Sequence, residues 1–371
     1  MEQKLKPWKL ARKGILDLVP YIPGKTIEQV EREFGKKRWI KLASNENVLG
    51  PSPKAITAIR QELSNIHMYP EGACTNLRQA LSRRFSISQD NIVVSNGSDN
   101  LLVLIASAFL NEREETVMAT PTFPMYPMVT RIMGGRPIQV KLKNYTHDLT
   151  SMLKKVNQKT KLVFVSNPHN PTGTIVSQRE LDAFLSNIPE QVILVLDEAY
   201  RDFADSPECP NGIDYVKEGR LVILLRTFSK VYGLAGLRIG YAIGRRDLID
   251  YLYRVRDPFP TNRLGQAGAV AALDDKAHEK KSICMVLEGR KYLCRELDKM
   301  GLFYIPSQAN FILLDLGRDS REALEDLLRE GVIIRPGYIW GYPTFARVTV
   351  GLREQNKRFI KALKKVLIGK P

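Results

Sequence analysis

A lysine with unusual neighbours lies in the segment from Arg226 to Gly240. Lys230 comes shortly after the apolar run Leu221–Leu225, Ser229 precedes it directly, and Arg238 follows eight positions later. A lysine amine can form a Schiff base with an aldehyde. A serine hydroxyl and an arginine guanidinium can together hold a phosphate. A phosphorylated aldehyde meets both requirements, so the segment predicts a site for pyridoxal phosphate (PLP).

Polar side chains elsewhere in the chain suit the ring of the same cofactor. Asp197 ends a strongly apolar run, and a buried carboxylate needs a partner. The N–H of a pyridinium ring would serve, because a carboxylate there keeps the ring protonated and able to accept electrons. Tyr200 follows three residues later and can reach a ring oxygen, and Asn170 in the proline-rich loop Asn167–Gly173 can hydrogen-bond a ring hydroxyl.

Two further segments suit the phosphate and the ring face. The sequence Asn96–Asp99 lies between a predicted strand and a predicted helix. Gly97 permits close approach of the backbone, and the N–H groups that open the helix can cradle a phosphate. Phe123 follows another predicted strand and can stack on a pyridine ring, although an aromatic side chain at a strand end is more often part of the core.

These residues must be positioned by a repeating pattern of strands and helices. The middle of the chain alternates short apolar runs with helical patterns, which predicts an α/β fold with a mostly parallel central sheet covered on both faces. Ligands of such sheets bind at the carboxyl ends of the strands. The predicted strands are Ile92–Ser95, Thr116–Ala119, Pro137–Leu142, Lys161–Ser166, Val192–Asp197 and Leu221–Arg226.

The pattern changes after about Pro258, where long charged helices alternate with short strands. This change predicts a smaller α+β domain. We therefore expect residues 1–40 to form an N-terminal arm or part of the small domain, residues 41–265 the large PLP-binding domain, and residues 266–371 the small C-terminal domain. The short strand candidates in the last part are Asn310–Leu316, Val332–Arg335 and Ala346–Val350.

Composition excludes several other classes of protein. The chain has 371 residues and a formal net charge of +16, which favours small anionic ligands; no nucleic-acid-binding motif accompanies the charge. No apolar run is long enough for a membrane span, and no signal-peptide pattern follows the basic N-terminus, so we expect a cytoplasmic protein. The four cysteines and four histidines are too scattered for a metal site.

A nucleotide-hydrolysing enzyme is the main rival suggested by short motifs. Gly24-Lys25-Thr26 resembles the end of a phosphate-binding loop, and Asp197-Glu198 resembles the acidic segment of an ATPase. The loop pattern requires a glycine where Val19 stands, and prolines replace its flexible residues. This reading is therefore rejected.

Taken together, the motifs resemble the fold-type I PLP-dependent aminotransferases of class I/II, over nearly the whole chain and in the order of the family. The segments Leu18–Gly24, Lys41–Pro53, Tyr69–Gly72 and Asn96–Asp99, with Arg335 and Arg347–Gly351, are similar to the histidinol-phosphate aminotransferase branch. The resemblance implies a transamination with catalytic residues Lys230, Asp197 and Tyr200. It implies cofactor contacts from Gly97, Ser98, Asp99, Phe123, Asn170, Asp197, Tyr200, Ser229, Lys230, Arg238 and, across a dimer, Tyr69.

The resemblance also implies how substrates bind. Arg347 would bind the carboxylate of glutamate, and with Arg335 and Tyr21 of the other subunit it would hold the substrate phosphate. Asn45 is the fourth residue expected in the substrate pocket. The implied protein is a homodimer with shared active sites that takes small anionic substrates, namely a phosphorylated amine or amino acid and 2-oxoglutarate or glutamate.

The identity of the amino donor stays open because several positions depart from the branch pattern. They are Val48, Asn100, His169, Pro260, Trp340 and Tyr342. An aromatic amino-acid aminotransferase and a threonine-phosphate decarboxylase are the alternatives within this group of enzymes. A basic nucleic-acid-binding protein is the alternative outside it, and it would lose binding steeply with salt.

Overall fold

The computed structural model describes residues 10–16, 18–36 and 38–368. Within these ranges the strands are β1 (Ile40–Lys41), β2 (Ile92–Ser95), β3 (Glu115–Thr120), β4 (Arg136–Lys141), β5 (Thr160–Ser166), β6 (Ile193–Asp197), β7 (Val222–Thr227), β8 (Gly240–Gly244), β9 (Tyr304–Ile305), β10 (Phe311–Asp315), β11 (Val332–Ile333), β12 (Arg335–Pro336) and β13 (Phe345–Thr349). Strand β1 is therefore separated along the chain from the strands that begin with β2 at Ile92.

The helices of the same ranges lie between and around these strands. They are α1 (Ile27–Phe34), α2 (Pro53–Glu62), α3 (Thr75–Phe85), α4 (Gly97–Phe109), α5 (Met125–Ile132), α6 (Leu149–Leu153), α7 (Gln178–Asn187), α8 (Gly212–Lys217), α9 (Arg246–Val255), α10 (Arg263–Leu273), α11 (Lys276–Lys299), α12 (Ser320–Arg329) and α13 (Arg353–Ile368). Capping boxes begin two of them, with Thr26 before α1 and Ser177 before α7.

The central sheet has seven strands in the order β2-β8-β7-β6-β5-β3-β4. Strands β3 to β7 pair in parallel, whereas β8 runs antiparallel to both of its neighbours. Ser166 pairs with Asp197, and Asp197 with Leu225, so the carboxyl ends of β5, β6 and β7 lie side by side. The six predicted strands are all present; β8 was not predicted.

Two apolar cores cover the faces of this sheet. Because side chains alternate along a strand, Val163 and Leu194 face one core while Phe164 and Val195 face the other. The second core also includes Leu101 of α4 and residues of α5 and α9. Both faces are therefore shielded from water, as the apolar runs of the sequence predict.

A second, antiparallel sheet lies in the C-terminal part, with the order β12-β13-β10-β9. The N-terminal segment joins this part, because Ile40 of β1 pairs with Val332 of β11 and the buried side chains of Val30 and Leu328 share a small core. The predicted single strand Val332–Arg335 is wrong: β11 pairs with β1, whereas β12 pairs with β13.

The proposed domain boundaries at residues 40 and 265 stay a prediction. The seven-stranded sheet shares no strand with the four-stranded sheet or with the β1–β11 pair, and α11 runs for 24 residues after the second boundary. Residues 1–9, 17 and 37 of the predicted arm, and 369–371 of the predicted small domain, lie outside the described residues. Among the helices that are described, none combines the length and apolar character that a bilayer crossing requires.

Candidate active site

A cavity of about 420 Å³ opens at the carboxyl ends of the central strands. Its wall includes many of the residues predicted from sequence, contributed by the ends of β5, β6 and β7 and by the start of α4. These are Ser98, Asp99, Phe123, Asn170, Asp197, Tyr200, Ser229, Lys230 and Arg238. Residues that lie up to 140 positions apart in the sequence therefore meet at one edge of the sheet, as expected for a parallel α/β fold.

The amine of Lys230 projects into this cavity from the loop after β7. Its Nζ lies 3.4 Å from the backbone oxygen of Ser44 and 5.4 Å from the centroid of the Tyr200 ring. Among the residues that the structure describes, no carboxylate forms an ion pair with it. The amine is therefore held by neutral groups and remains available for reaction with an aldehyde.

Asp197 is buried at the end of β6 and hydrogen-bonded only to neutral donors. The Tyr126 hydroxyl donates to one carboxylate oxygen over 2.8 Å, and the backbone N–H of Ala199 donates to the other over 3.1 Å. Burial raises the pKa of Asp197 to about 6, and the two hydrogen bonds oppose that rise. The described residues bring no cation to this carboxylate, so a pyridinium N–H would complete its partners.

The predicted phosphate cradle is assembled where α4 begins. Gly97 has φ +81°, and a Cβ added there would lie 2.9 Å from Nη2 of Arg238, so only glycine fits. Nη2 lies 3.3 Å from the Asp99 carboxylate, while Nη1 donates to the backbone oxygen of Ala235. Ser98 and Ser229 line the same cavity. Hydroxyls, an arginine and the first N–H groups of α4 are suitable donors for a phosphate.

Asn170 and Tyr200 each form a hydrogen bond with a residue that the sequence predicts to bind substrate. The Asn170 side-chain oxygen accepts a hydrogen bond from Nη1 of Arg347. The Tyr200 hydroxyl accepts one from Nδ2 of Asn45 over 3.1 Å and can still donate its own hydrogen. Phe123 lines the cavity and packs edge-on against Tyr126 at 5.8 Å. Ring, phosphate and aldehyde of PLP thus each find suitable groups, so the residues present fit this cofactor.

A second cavity of about 650 Å³ adjoins the first and shares Lys230, Asn170 and Tyr200 with it. Four predicted substrate residues, Tyr21, Asn45, Arg335 and Arg347, lie in its wall. We expected Tyr21 from another subunit, but the structure places the chain's own Tyr21 ring 5.7 Å from the Arg335 guanidinium. The reason is that the segment 18–24 of the same chain runs along this cavity.

The two arginines face each other across an antiparallel pair of strands. Arg335 of β12 is the direct partner of Arg347 of β13, and both side chains are buried. Like charges at directly opposite positions repel, and in the described chain neither guanidinium forms an ion pair with a carboxylate. The arrangement therefore suits an anion that the protein does not itself supply.

Tyr69 is a predicted cofactor residue that lies away from both cavities. Its side chain is 78% exposed and stacks on Phe259 at 4.5 Å. Within a single chain it does not reach the phosphate cradle. Its contact across a dimer stays a prediction.

Sequence reasoning missed several residues that line the cofactor cavity, among them Tyr126, Ser166 and Thr227. Tyr126 gave a usable signal, because it lies three residues after Phe123 at the start of α5 and therefore near the same edge of the sheet. Ser166 and Thr227 end β5 and β7. Of the six positions that depart from the branch pattern, Trp340 is the one that lines the larger cavity.

Replacing Tyr126 with phenylalanine should weaken cofactor binding by roughly ten- to a hundredfold, the usual strength of a hydrogen bond to a charged group. Loss of this donor also raises the pKa of Asp197 further, so less carboxylate is ionised near neutral pH. The dissociation constant of PLP measured from pH 6 to 8 tests this. Tyr215→Phe is the matched control, because its hydroxyl donates to Asp182 away from the site. Equal constants for both variants would contradict the assignment.

The fold and the site are those of an aminotransferase. The family model for aminotransferase class I and II matches residues 37–363, and the chain belongs to this family.

Three similar proteins carry the name of one branch of that family. The chain is 50% identical over 357 residues to a protein of Moorella thermoacetica named histidinol-phosphate aminotransferase, covering 96% of this chain and 92% of the relative. It is 45% identical to a protein of the same name from Caldicellulosiruptor saccharolyticus, covering 96% of this chain and 99% of that relative. A solved histidinol-phosphate aminotransferase from Sinorhizobium meliloti, in complex with pyridoxal-5'-phosphate, has a TM-score of 0.88 and 30% identity over 96% of this chain and 97% of its own.

Proposed function

We propose that the protein uses PLP to transfer the amino group of L-histidinol phosphate to 2-oxoglutarate, giving imidazole acetol phosphate and L-glutamate. The observation that carries this proposal is the buried pair Arg335 and Arg347, which lies beside Lys230 and lacks a carboxylate partner among the described residues. A phosphorylated amine and a dicarboxylate both carry an anion for these arginines. The names of the relatives support the same substrate.

Lys230, Asp197 and Tyr200 would act on the bound cofactor. When bound, PLP withdraws electrons from the substrate and so makes its Cα proton more acidic. Asp197 would keep the proton on the ring nitrogen, and the Tyr200 hydroxyl would donate to the ring oxygen. Lys230 would hold the cofactor through its aldehyde, and its amine, when free, is the group that would take the proton from the substrate Cα. We expect ping-pong kinetics, because one pocket takes two anionic substrates in turn.

The remaining residues fall into two groups, one for the cofactor and one for the substrate. Gly97, Ser98, Asp99, Ser229 and Arg238 would hold the cofactor phosphate, with Phe123 on the ring face. Arg335, Arg347 and Tyr21 would hold the anion of the substrate, and Asn45 orients Tyr200 through its amide. We also propose a homodimer, in which the exposed Tyr69 reaches the neighbouring cradle. Its stacking partner Phe259 is likewise half-exposed in the single chain.

The identity of the amino donor is tested by mixing the PLP-loaded enzyme with one compound at a time. The four compounds are L-histidinol phosphate, L-phenylalanine, L-threonine phosphate and L-glutamate, and the visible absorbance of the cofactor reports its conversion to the amine form. We expect L-histidinol phosphate to react fastest of the amino donors other than glutamate. Conversion no faster than with L-phenylalanine would reject the proposal.

An aromatic amino-acid aminotransferase is the second candidate, because the Trp340 ring lines the substrate cavity. That enzyme would convert L-phenylalanine faster than L-histidinol phosphate in the same assay. Release of carbon dioxide from L-threonine phosphate, without any need for 2-oxoglutarate, would indicate a decarboxylase instead.

A further inference from the structure

The Arg347 guanidinium is held in the substrate cavity without a carboxylate. Nη2 donates to the backbone oxygen of Ala43 over 3.1 Å, and Nη1 donates to the side-chain oxygen of Asn170. Its Nε–H is buried and has no acceptor. A buried cation normally requires an ion pair, so some other contact must offset the cost of removing this charge from water.

Two aromatic rings make that contact. The guanidinium carbon lies 5.2 Å from the centroid of the Phe311 ring and 4.9 Å from that of Trp340. Both distances are within the range of a cation–π interaction, for which an arginine over tryptophan is a favourable combination. An aromatic face attracts the cation but accepts no strong hydrogen bond from its edge. The Nε–H of Arg347 and the second hydrogen of each Nη, which the described residues leave without an acceptor, therefore stay available for an anion.

The two rings differ in what else they do. Phe311 belongs to β10, the neighbour of β13, and is fully buried in a small core with Tyr200 and Ala309. Trp340 ends the short 3-10 turn Gly337–Trp340, is only half-buried and lines the substrate cavity. It packs beside Tyr342 on a small core formed by Ile305, Leu313 and Phe345. Trp340 is thus the ring that contacts both Arg347 and the space where a substrate enters.

We infer that Trp340 is a positioning residue, which holds the Arg347 guanidinium in the orientation that binds the anionic group of each substrate. This inference rests on the proposed function, since it concerns the same pocket. It goes beyond that proposal by assigning part of the anion affinity to an uncharged residue that acts through Arg347. The uncharged indole stabilises the Arg347 guanidinium without neutralising its charge. The charge therefore remains available to a phosphate and to a carboxylate in turn.

The test compares Trp340→Ala with Trp340→Phe in the PLP-loaded enzyme. Trp340→Ala should raise KM for 2-oxoglutarate and the dissociation constant of succinate, an unreactive dicarboxylate, by about tenfold, the size of a typical cation–π contact. The kcat should change less than about threefold, because Lys230 and Asp197 are untouched. Trp340→Phe keeps an aromatic face and should recover most of the affinity.

A second comparison separates a role toward anions from a general loss of packing. L-Histidinol lacks the phosphate of L-histidinol phosphate, so Trp340→Ala should slow conversion of the phosphorylated substrate at low concentration and leave that of L-histidinol nearly unchanged. Tyr342→Leu is the matched control, since it removes a neighbouring ring of the same small core that does not line the cavity. It should leave succinate binding within about twofold.

The outcomes distinguish this inference from the proposed function. Unchanged succinate binding in Trp340→Ala overturns the inference, whatever the amino donor proves to be. Equal losses with L-histidinol and L-histidinol phosphate overturn it too, because they indicate a packing role. If Trp340→Ala weakens succinate binding but the wild-type enzyme does not convert L-histidinol phosphate, the inference stands and the proposed amino donor is wrong.

Discussion

Replacing Lys230 with alanine is expected to reduce transamination by about 10⁴-fold or more. The substitution removes both the amine that holds the cofactor's aldehyde carbon and the general base, and a positioned base alone contributes roughly 10²- to 10⁴-fold. No other described lysine lines the two cavities, so no neighbour can replace it. Single-turnover rates with the preferred amino donor provide the measurement.

Borohydride treatment gives an independent readout for the same variant. In the wild-type protein, reduction should leave the cofactor covalently attached at Lys230, and denaturation should not release it. Lys230→Ala should release all of it. Lys161→Ala is a suitable control, because Lys161 lies at the amino end of β5. It forms an ion pair with Glu114 at 3.5 Å and lines neither cavity. Wild-type turnover by Lys230→Ala would overturn the role of this residue.

Replacing Asp197 with asparagine is expected to lower activity by about 10³-fold and yet to stabilise the cofactor-free protein. The activity falls because an amide cannot hold the ring nitrogen in its protonated form through a charge. The stability rises because burial raises the pKa of Asp197 from 3.8 to about 6. Ionising this carboxylate in the folded, cofactor-free protein therefore costs free energy, on the order of 3 kcal/mol for a shift of this size.

The sign of the pH dependence follows from the same shift. Between pH 4 and pH 6 the folded protein holds this proton while the unfolded chain has released it, so the stability from this group is present at low pH and is lost as pH rises. Urea unfolding of the cofactor-free protein at several pH values measures the effect. Asp197→Asn should flatten the decline between pH 4 and pH 6, whereas the exposed Asp182→Asn should not. Identical slopes for both variants would contradict the raised pKa.

The central sheet and most of the cofactor cavity could be predicted from the sequence, because each depends on local signals. Apolar runs mark β5, β6 and β7, and the polar residues that follow them must meet at one edge of a parallel sheet. Strand β8 was missed because Gly240–Gly244 is short, begins and ends with glycine, and runs antiparallel to its neighbours. Its place between β2 and β7 depends on long-range pairing.

The substrate pocket could be predicted only in part. The residue types of Arg335 and Arg347 indicate anion binding, but their direct pairing across β12 and β13 follows from register, which the sequence does not reveal. The path of the segment 18–24 is another long-range property, so the sequence does not reveal that Tyr21 lies beside Arg335 of its own chain. The two rings that contact Arg347, Phe311 and Trp340, belong to β10 and to a 3-10 turn. No sequence pattern indicates that these two segments meet at the same arginine.

The pairing of Ile40 with Val332 has a consequence for the order in which the protein is made. All seven strands of the central sheet lie between residues 92 and 244. The described residues that line the cofactor cavity lie between Ser44 and Arg238, so they are all synthesised before β11, β12 and β13. The N-terminal segment is synthesised first, yet its partner strand β11 belongs to the C-terminal part of the chain. The substrate pocket, which includes Arg335 and Arg347, can therefore form only after every one of those cavity residues has been made.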